Sequence, residues 1–314
     1  MNAGATTFGG GRYVATSATH SGGLSDVIVC KDVNLDRDVA IKFLQPGTDK
    51  SRIYDEIAAL QQVRSKHVVQ VYDIIVVAPG NNVGIVQEYL PGADLSAGFD
   101  SPRDVGAILR TLYQLAAGVA DIHEHGIIHR DIKPNNVKKD AEGLLKLFDF
   151  GLARSTPKAS TVGFRGTPGF AAPELFTMGY VNFSEAVDVY ALAATTLFGI
   201  TGGLAPDLLS NPPSPEAWKQ KQGFGRLPVQ LPGHIATLLD ACLSTDPAAR
   251  PLARDLVAAV AANLLLNRHR AVLMSSGHTY VCDANRTAAR VAANTLGALD
   301  GACGWLRFGA GTGT

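Results

Sequence analysis

Short runs of β-branched residues between turn residues dominate the first part of the chain. Val27–Val29 and Val39–Ile41 lie between polar turns, and two longer apolar runs follow at Val68–Val77 and Val83–Glu88. Such runs predict strands, and the short turns between them favour antiparallel pairing. The first part of the chain is therefore predicted to form an antiparallel sheet.

The later part of the chain changes to helical periodicity. Between Ser101 and Gly126 the apolar residues recur at steps of three and four, which predicts a long amphipathic helix. Ser101 is expected to cap its start, with Pro102 at the first helical position, and Gly126 to end it in a left-handed turn. Further apolar helices are predicted at Val187–Ile200 and Leu252–Leu266.

This change of period separates a sheet-rich first part of the chain from a larger, mainly helical second part. The overall class is α+β. Residues 1–12 are rich in glycine and threonine and are expected to be disordered. Residues 267–314 are interpreted as a C-terminal appendage of unknown role, with Ala271–Met274 as one strand of a hairpin.

Composition and charge exclude several classes of protein. The 28 basic residues balance the 28 acidic ones, so no nucleic-acid surface is indicated. The four cysteines are scattered without a C-x-x-C pair, which is typical of free thiols in a reducing compartment. No apolar run is long enough to predict a membrane span. We therefore expect a cytoplasmic protein.

Two polar motifs carry the candidate chemistry. Residues 129–136 read HRDIKPNN and residues 149–151 read DFG. Asp131 is suited to accept a proton from a hydroxyl group. Asn136 and Asp149 offer the hard oxygen ligands that Mg²⁺ prefers. The two motifs together indicate a phosphoryl-transfer centre.

In this order and separation the motifs resemble the catalytic loop and metal-binding motif of protein kinases. The resemblance covers residues 13–266. It implies a bilobal protein-kinase-like fold, with a small antiparallel-sheet N-lobe at residues 13–88 that carries one helix and a larger helical C-lobe at residues 92–266. It also implies ATP and Mg²⁺ as cofactors, with Mn²⁺ as an alternative metal.

The turn at residues 20–27 resembles the family's glycine-rich loop over the nucleotide phosphates. The resemblance implies nucleotide contacts from Gly22, Gly23, Val27 and Ala40. This chain departs from the pattern, because the first and third glycines of the family are replaced. Alone, two adjacent glycines equally indicate an ordinary hairpin turn.

Lys42 ends a stretch reading VAIK, in which the kinase lysine contacts the α- and β-phosphates. A helix follows with Ile53, Ile57 and Leu60 on one face, and it offers Glu56 as the ion-pair partner of the lysine. The alternatives are a solvent-facing strand lysine and a surface glutamate.

The segment after the last predicted strand resembles the link between the kinase lobes. By that resemblance the backbones of Glu88 and Leu90 bind adenine. Asp94 meets the ribose or a basic substrate residue, or is only solvated. Lys138 takes the place of an apolar residue under the adenine ring, and its methylene stem can cover the ring while its ammonium reaches water.

Arg130 is a candidate regulatory residue. An arginine beside the catalytic aspartate can pair with a phosphorylated residue in the loop after the DFG motif. That loop supplies several hydroxyl groups, and Thr161 lies nearest the spacing typical of bacterial members of the family.

Late motifs extend the resemblance through the C-lobe. Lys133 and Thr167 match the pattern of serine/threonine kinases, in which the threonine bonds the lysine and the catalytic aspartate. Glu174 needs a buried counter-charge, for which Arg250 is the candidate. Asp188 matches the acid that holds the catalytic-loop backbone.

The sequence is thus identified as a bacterial, eukaryotic-like serine/threonine protein kinase, with Asp131 and Lys133 as catalytic residues. Its expected partners are ATP and proteins with serine or threonine acceptors, including itself. A pseudokinase that serves as a nucleotide-regulated binding scaffold is the alternative, favoured by the altered glycine loop and Lys138. A kinase acting on a small molecule is a third hypothesis.

Overall fold

The first part of the chain folds into a curled antiparallel sheet. The structure is a computed structural model that describes residues 6–16, 20–22, 25–44, 50–77, 82–150, 167–176 and 184–275. Its strands in this part are β1 (Thr7–Phe8), β2 (Tyr13–Ala15), β3 (His20–Gly22), β4 (Ser25–Asp32), β5 (Arg37–Phe43), β6 (Val71–Val77) and β7 (Asn82–Glu88). Within the described ranges they pair in the order β1-β2-β4-β5-β7-β6, and β3 pairs with β4.

One helix, α1 (Lys50–Gln62), packs against this sheet. Its residues Ile57 and Leu60 are buried in one cluster with Val83 and Ile85 of β7 and with Phe150. Each fully buried side chain of this size stabilises the fold by about 1.5–3 kcal/mol. The predicted helix is therefore confirmed, and its core continues down to the DFG motif.

The expectation of a disordered start is wrong for residues 6–12. Strand β1 pairs with β2, and the turn between them uses three glycines at positive φ, residues 9–11. Glycine adopts this conformation without a steric penalty. Arg12 then donates to the fully buried carboxylate of Asp32 at 2.8 and 2.9 Å, and Tyr13 donates to Asp73 of β6 at 2.9 Å. These bonds fix the first hairpin to the sheet.

The second part of the chain is mainly helical. It contains a two-stranded sheet, β8 (Val137–Lys139) and β9 (Leu145–Leu147), which contacts the first part of the chain where Val69 N–H donates to the Leu147 carbonyl at 2.8 Å. The helices are α2 (Val105–Glu124), α3 (Glu185–Thr201), α4 (Pro206–Leu209), α5 (Pro215–Lys221), α6 (Gly233–Cys242) and α7 (Ala253–Ser275). The predicted α+β arrangement of a small sheet lobe and a larger helical lobe is confirmed.

Helix α2 begins later than the sequence predicted. Asp104, rather than Ser101, is the N-cap, because its Oδ1 accepts hydrogen bonds from the backbone N–H groups of Gly106 and Ala107 at 2.8 and 3.2 Å. Gly126 lies at φ +69 after the helix, as predicted. By length and hydropathy α2 is long and apolar enough to cross a membrane, but half of that window is buried within the C-lobe core.

Helix α7 is longer than predicted and continues to Ser275. The expectation of a strand at Ala271–Met274 is therefore wrong. No glycine or proline occurs between Ala253 and Ser275, so nothing in the local sequence ends the helix near Leu266. The remaining predicted elements of the appendage lie outside the described residues.

Candidate active site

Asp131 lies at the centre of a hydrogen-bonded group between α2 and β8. One carboxylate oxygen accepts from the Lys133 ammonium at 2.8 Å, and the other accepts from the Thr167 hydroxyl at 2.9 Å. Lys133 also donates to Thr167 at 3.0 Å. The Asn136 amide donates to the Asp131 carbonyl at 2.7 Å and to its carboxylate at 3.1 Å. These bonds hold the carboxylate in one orientation.

Asp188, buried in α3, holds the backbone beneath this group. Its two carboxylate oxygens accept from the N–H groups of His129 at 2.7 Å and Arg130 at 2.8 Å. Arg130 adopts φ +68, a conformation that costs free energy in a residue with a side chain. Hydrogen bonds to a buried carboxylate are strong enough to offset that cost. The contact predicted for Asp188 is therefore present.

His129 is a packed structural residue. Its side chain is fully buried, its Nε2–H donates to the Phe148 carbonyl at 3.0 Å, and its ring lies 4.6 Å from that of Phe150 between centroids. Burial lowers the pKa of His129, because the charged imidazolium would lose its hydration. The neutral ring thus links the catalytic loop to the DFG motif.

Replacing His129 with phenylalanine is expected to flatten the pH dependence of stability below neutral pH. The unfolded histidine takes up a proton as the pH falls below about 6.5, whereas the folded one, whose pKa is lowered by burial, does so only at lower pH. The unfolded state then binds more protons, so the wild type loses stability as the pH falls. The measurement is the free energy of unfolding in urea at pH 7.5 and 5.5. An equal loss of stability in both proteins would contradict this account.

One face of the sheet lies against the DFG motif. Ala40 and Lys42 are two positions apart on β5, so their side chains point to the same face of the sheet. Val27 of β4 lies opposite Lys42 and shares that face. The Lys42 ammonium directly contacts Asp149 Oδ1. Residues that are far apart in the chain, at the sheet and after β9, are therefore brought together.

Asn136 and Asp149 fit a divalent cation. The Asn136 amide nitrogen is held by Asp131, which leaves its oxygen for a metal. The Asp149 carboxylate is 42% exposed and contacts Lys42 through one oxygen. Phe148 N–H donates to the Asn136 carbonyl at 3.0 Å, which keeps the two ligand-bearing segments adjacent. Hard oxygen donors of this kind suit Mg²⁺ and Mn²⁺.

The link between the lobes provides a backbone edge. Leu90 makes no hydrogen bond within the described part of the chain, and the adenine contact predicted for its backbone stays a prediction. The Glu88 side chain instead binds Lys146 at 2.8 Å. Asp94 caps the turn at Leu95–Ala97, since its Oδ1 accepts from Ser96 N–H at 2.9 Å. Its carboxylate therefore has a structural role beside the one predicted.

Glu174 and Arg250 form the predicted distant ion pair. Two parallel hydrogen bonds of 2.7 Å join the guanidinium to the two carboxylate oxygens. The Arg250 side chain has no solvent exposure, and its remaining donors bind the carbonyls of Ser244 and Ala186 at 2.9 Å. The pair therefore anchors the segment at residues 167–176, which carries Thr167, to the helical lobe.

Several predicted site residues lie outside the described part of the chain. Gly23 and Thr161 are among them, so the phosphate partner proposed for Arg130 stays a prediction. Gly22 lies in β3, opposite Ser25, as a backbone position only. Glu56 lies in α1, but its side chain is outside the described residues. Its ion pair with Lys42 therefore stays a prediction.

Sequence reasoning missed two residues that bind predicted site residues or their supports. His123 donates through Nε2–H to Asp188 at 3.0 Å, and Lys146 binds Glu88. For His123, the one available sequence signal is its position on the apolar face of α2. Lys146 has no local signal, because its partner lies far away in the chain.

A family model described as the protein kinase domain matches residues 17–260. The chain belongs to the protein kinase family. The kinase domain thus includes both lobes, and residues 261–314 lie beyond the match. The recognition made from the catalytic and DFG motifs is confirmed.

Bacterial relatives resemble this kinase domain. Serine/threonine-protein kinases drp72 of Corynebacterium efficiens is 33% identical over 264 residues, 79% of this chain and 50% of the relative. Serine/threonine-protein kinase PkaB of Streptomyces coelicolor is 33% identical over 241 residues, 71% of this chain and 56% of the relative. The chain therefore spans about half the length of these curated relatives.

Proposed function

We propose that the chain is an active serine/threonine protein kinase that transfers the γ-phosphate of ATP to protein hydroxyl groups. The proposal is carried by the convergence of Lys42, Asp131, Asn136 and Asp149. Lys42 contacts Asp149, and the Asn136 amide donates to the Asp131 carboxylate at 3.1 Å. These contacts support the proposed roles of Lys42 towards the nucleotide phosphates, of Asp131 as the base and of Asn136 and Asp149 as metal ligands.

Each residue has a distinct role in the proposed reaction. Asp131 orients the acceptor hydroxyl and takes its proton as the oxygen attacks. Lys133 neutralises charge on the moving phosphoryl group from its position 2.8 Å from the same carboxylate. Lys42 binds the α- and β-phosphates. A bound Mg²⁺, or Mn²⁺ in its place, neutralises the charge of the phosphate oxygens, and Asn136 and Asp149 would hold it.

The acceptor is proposed to be serine or threonine. The Lys133–Thr167 hydrogen bond of 3.0 Å supports this, since that residue pair is typical of serine/threonine kinases. The chain itself is one proposed substrate, with Thr161 as the first candidate site. Phosphorylated Thr161 would then pair with Arg130 and order the segment that leads to Thr167.

Replacing Lys42 with methionine tests the nucleotide site. We expect the rate of radiolabel transfer from Mg-ATP to the chain and to a basic test protein to fall on the order of 10²-fold or more, because a charge that stabilises the phosphates is lost. Lys31→Met is the matched control, since Lys31 lies on the neighbouring strand and pairs with Asp36 at 3.0 Å.

The transfer assay, combined with a thermal-shift assay of the wild type with Mg-ATP, separates the alternatives. Nucleotide-dependent thermal stabilisation without any labelled protein in the wild type would favour the scaffold. Label that appears only in a small-molecule pool would favour a metabolite kinase. Equal labelling by wild type and Lys42→Met would contradict the role of Lys42.

A further inference from the structure

Two lysines lie directly opposite each other in the small sheet below the lobe junction. Lys138 of β8 pairs in register with Lys146 of β9. Their neighbours Val137 and Leu147 are also paired and are buried in the C-lobe core. Because side chains alternate along a strand, both lysines project from the opposite face, away from that core.

Lys146 shows where this face is directed. Its ammonium binds Glu88, at the end of β7, at 2.8 Å, and lies 3.9 Å from Asp140. The Lys146 and Glu88 side chains are only 11% and 19% exposed. The face that carries both lysines is therefore turned towards the strand that leads into the link between the lobes. Glu88 and Asp140 compensate the charge of Lys146.

Lys138 has no such compensation. No ion pair of Lys138 occurs among the residues that the structure describes. The backbone of Asp94 lies opposite, but one of its carboxylate oxygens is engaged by Ser96 N–H at 2.9 Å. Directly opposite like charges destabilise a strand pair. The strand that carries Lys138 begins directly after Asn136, one of the residues assigned to the metal.

We propose that Lys138 is a nucleotide-affinity residue whose cation interacts with the negative charge of the bound nucleotide. This inference rests on the proposed function, because it concerns the same cleft. It goes beyond a methylene stem packed under the base, since the ammonium itself contributes. A polyanionic ligand would attract the Lys138 ammonium, whereas a neutral nucleoside would not.

The test compares charged and uncharged ligands on charge-removing and charge-keeping variants. Dissociation constants are measured for Mg-ATP, ADP and adenosine with the wild type, Lys138→Met and Lys138→Arg, at low and high salt. We expect Lys138→Met to bind ATP roughly three- to thirty-fold more weakly at low salt, with a smaller loss at high salt. Adenosine binding should change less than about twofold, because adenosine carries no phosphate. Lys138→Arg should bind ATP like the wild type.

Lys139→Met is the matched control. Lys139 is the next residue of β8, points to the other face and pairs with Asp100. Its removal should leave ATP affinity unchanged. ATP affinity in Lys138→Met that equals or exceeds that of the wild type would overturn the inference, as would an equal loss for ATP and adenosine.

Lys42→Met distinguishes failure of this inference from failure of the proposed function. If the wild type binds ATP, Lys42→Met binds it more weakly and Lys138→Met binds it with wild-type affinity, the nucleotide site is supported and the role of Lys138 is refuted. If ATP does not bind the wild type, both the proposed function and the role of Lys138 are refuted. Thermal unfolding of each variant without ligand reports any change in the fold.

Discussion

Replacing Asp131 with asparagine is expected to reduce phosphotransfer from Mg-ATP by about 10²- to 10⁴-fold. Asparagine has almost the same shape, and its amide oxygen can accept from Lys133 while its amide nitrogen donates to the Thr167 hydroxyl oxygen, but it cannot take the proton of the acceptor hydroxyl. The fold should be kept, because the backbone contact from Asn136 to the Asp131 carbonyl, 2.7 Å, does not involve the side chain. The measurement is single-turnover transfer of radiolabelled phosphate.

Asp121→Asn is the control for this substitution. Asp121 is an aspartate near the end of α2, outside the candidate site. The Asp121→Asn variant should transfer phosphate at the wild-type rate. Mass spectrometry of the wild type beside Asp131→Asn also locates any autophosphorylation and tests Thr161. Undiminished transfer by Asp131→Asn would contradict the assignment of Asp131 as the base.

Replacing Arg250 with methionine is expected to cost about 3–5 kcal/mol of unfolding free energy. The substitution removes both 2.7 Å bonds to Glu174 together with the buried positive charge that donates them. It also deprives the carbonyls of Ser244 and Ala186 of a donor. Urea denaturation gives the free energy of unfolding directly.

An exposed ion pair supplies the comparison. Lys221 binds Asp207 at 2.8 Å, but its side chain is 68% exposed, so Lys221→Met should cost less than about 1 kcal/mol. The double variant Glu174→Gln/Arg250→Met should be less destabilised than the sum of the single changes, since neither charge is left alone. A loss for Arg250→Met as small as that for Lys221→Met would contradict the structural role of the pair.

Much of the candidate site was predictable because the catalytic residues occur in short motifs with fixed spacing. Asp131, Lys133 and Asn136 lie within six positions of one another, so their proximity follows from the loop itself. Thr167 and Arg250 are distant, and their partners were assigned through the family resemblance. The hydrogen bonds of both residues to those partners are present.

The errors concern element ends, where local signals compete. Ser101 and Asp104 are both good N-caps, and in the structure Asp104 accepts the N–H groups of the first turn of α2. Helix α7 lacks a stop signal, so its end was misplaced. The first hairpin was missed because its stability comes from Asp32 and Asp73, which lie on other strands.

By itself the sequence determined the α+β class, the division into a sheet lobe and a helical lobe, and the identity of the catalytic motifs. The class follows from periodicity, and the lobes and motifs follow from the resemblance of short local motifs to a known family, so both are properties of neighbouring residues. The tertiary structure alone decided the contact of Lys42 with Asp149, the pairing of Glu88 with Lys146 and the position of Lys138 opposite Lys146. Each depends on which distant strands and loops become adjacent, because electrostatic interactions act through space and not along the chain.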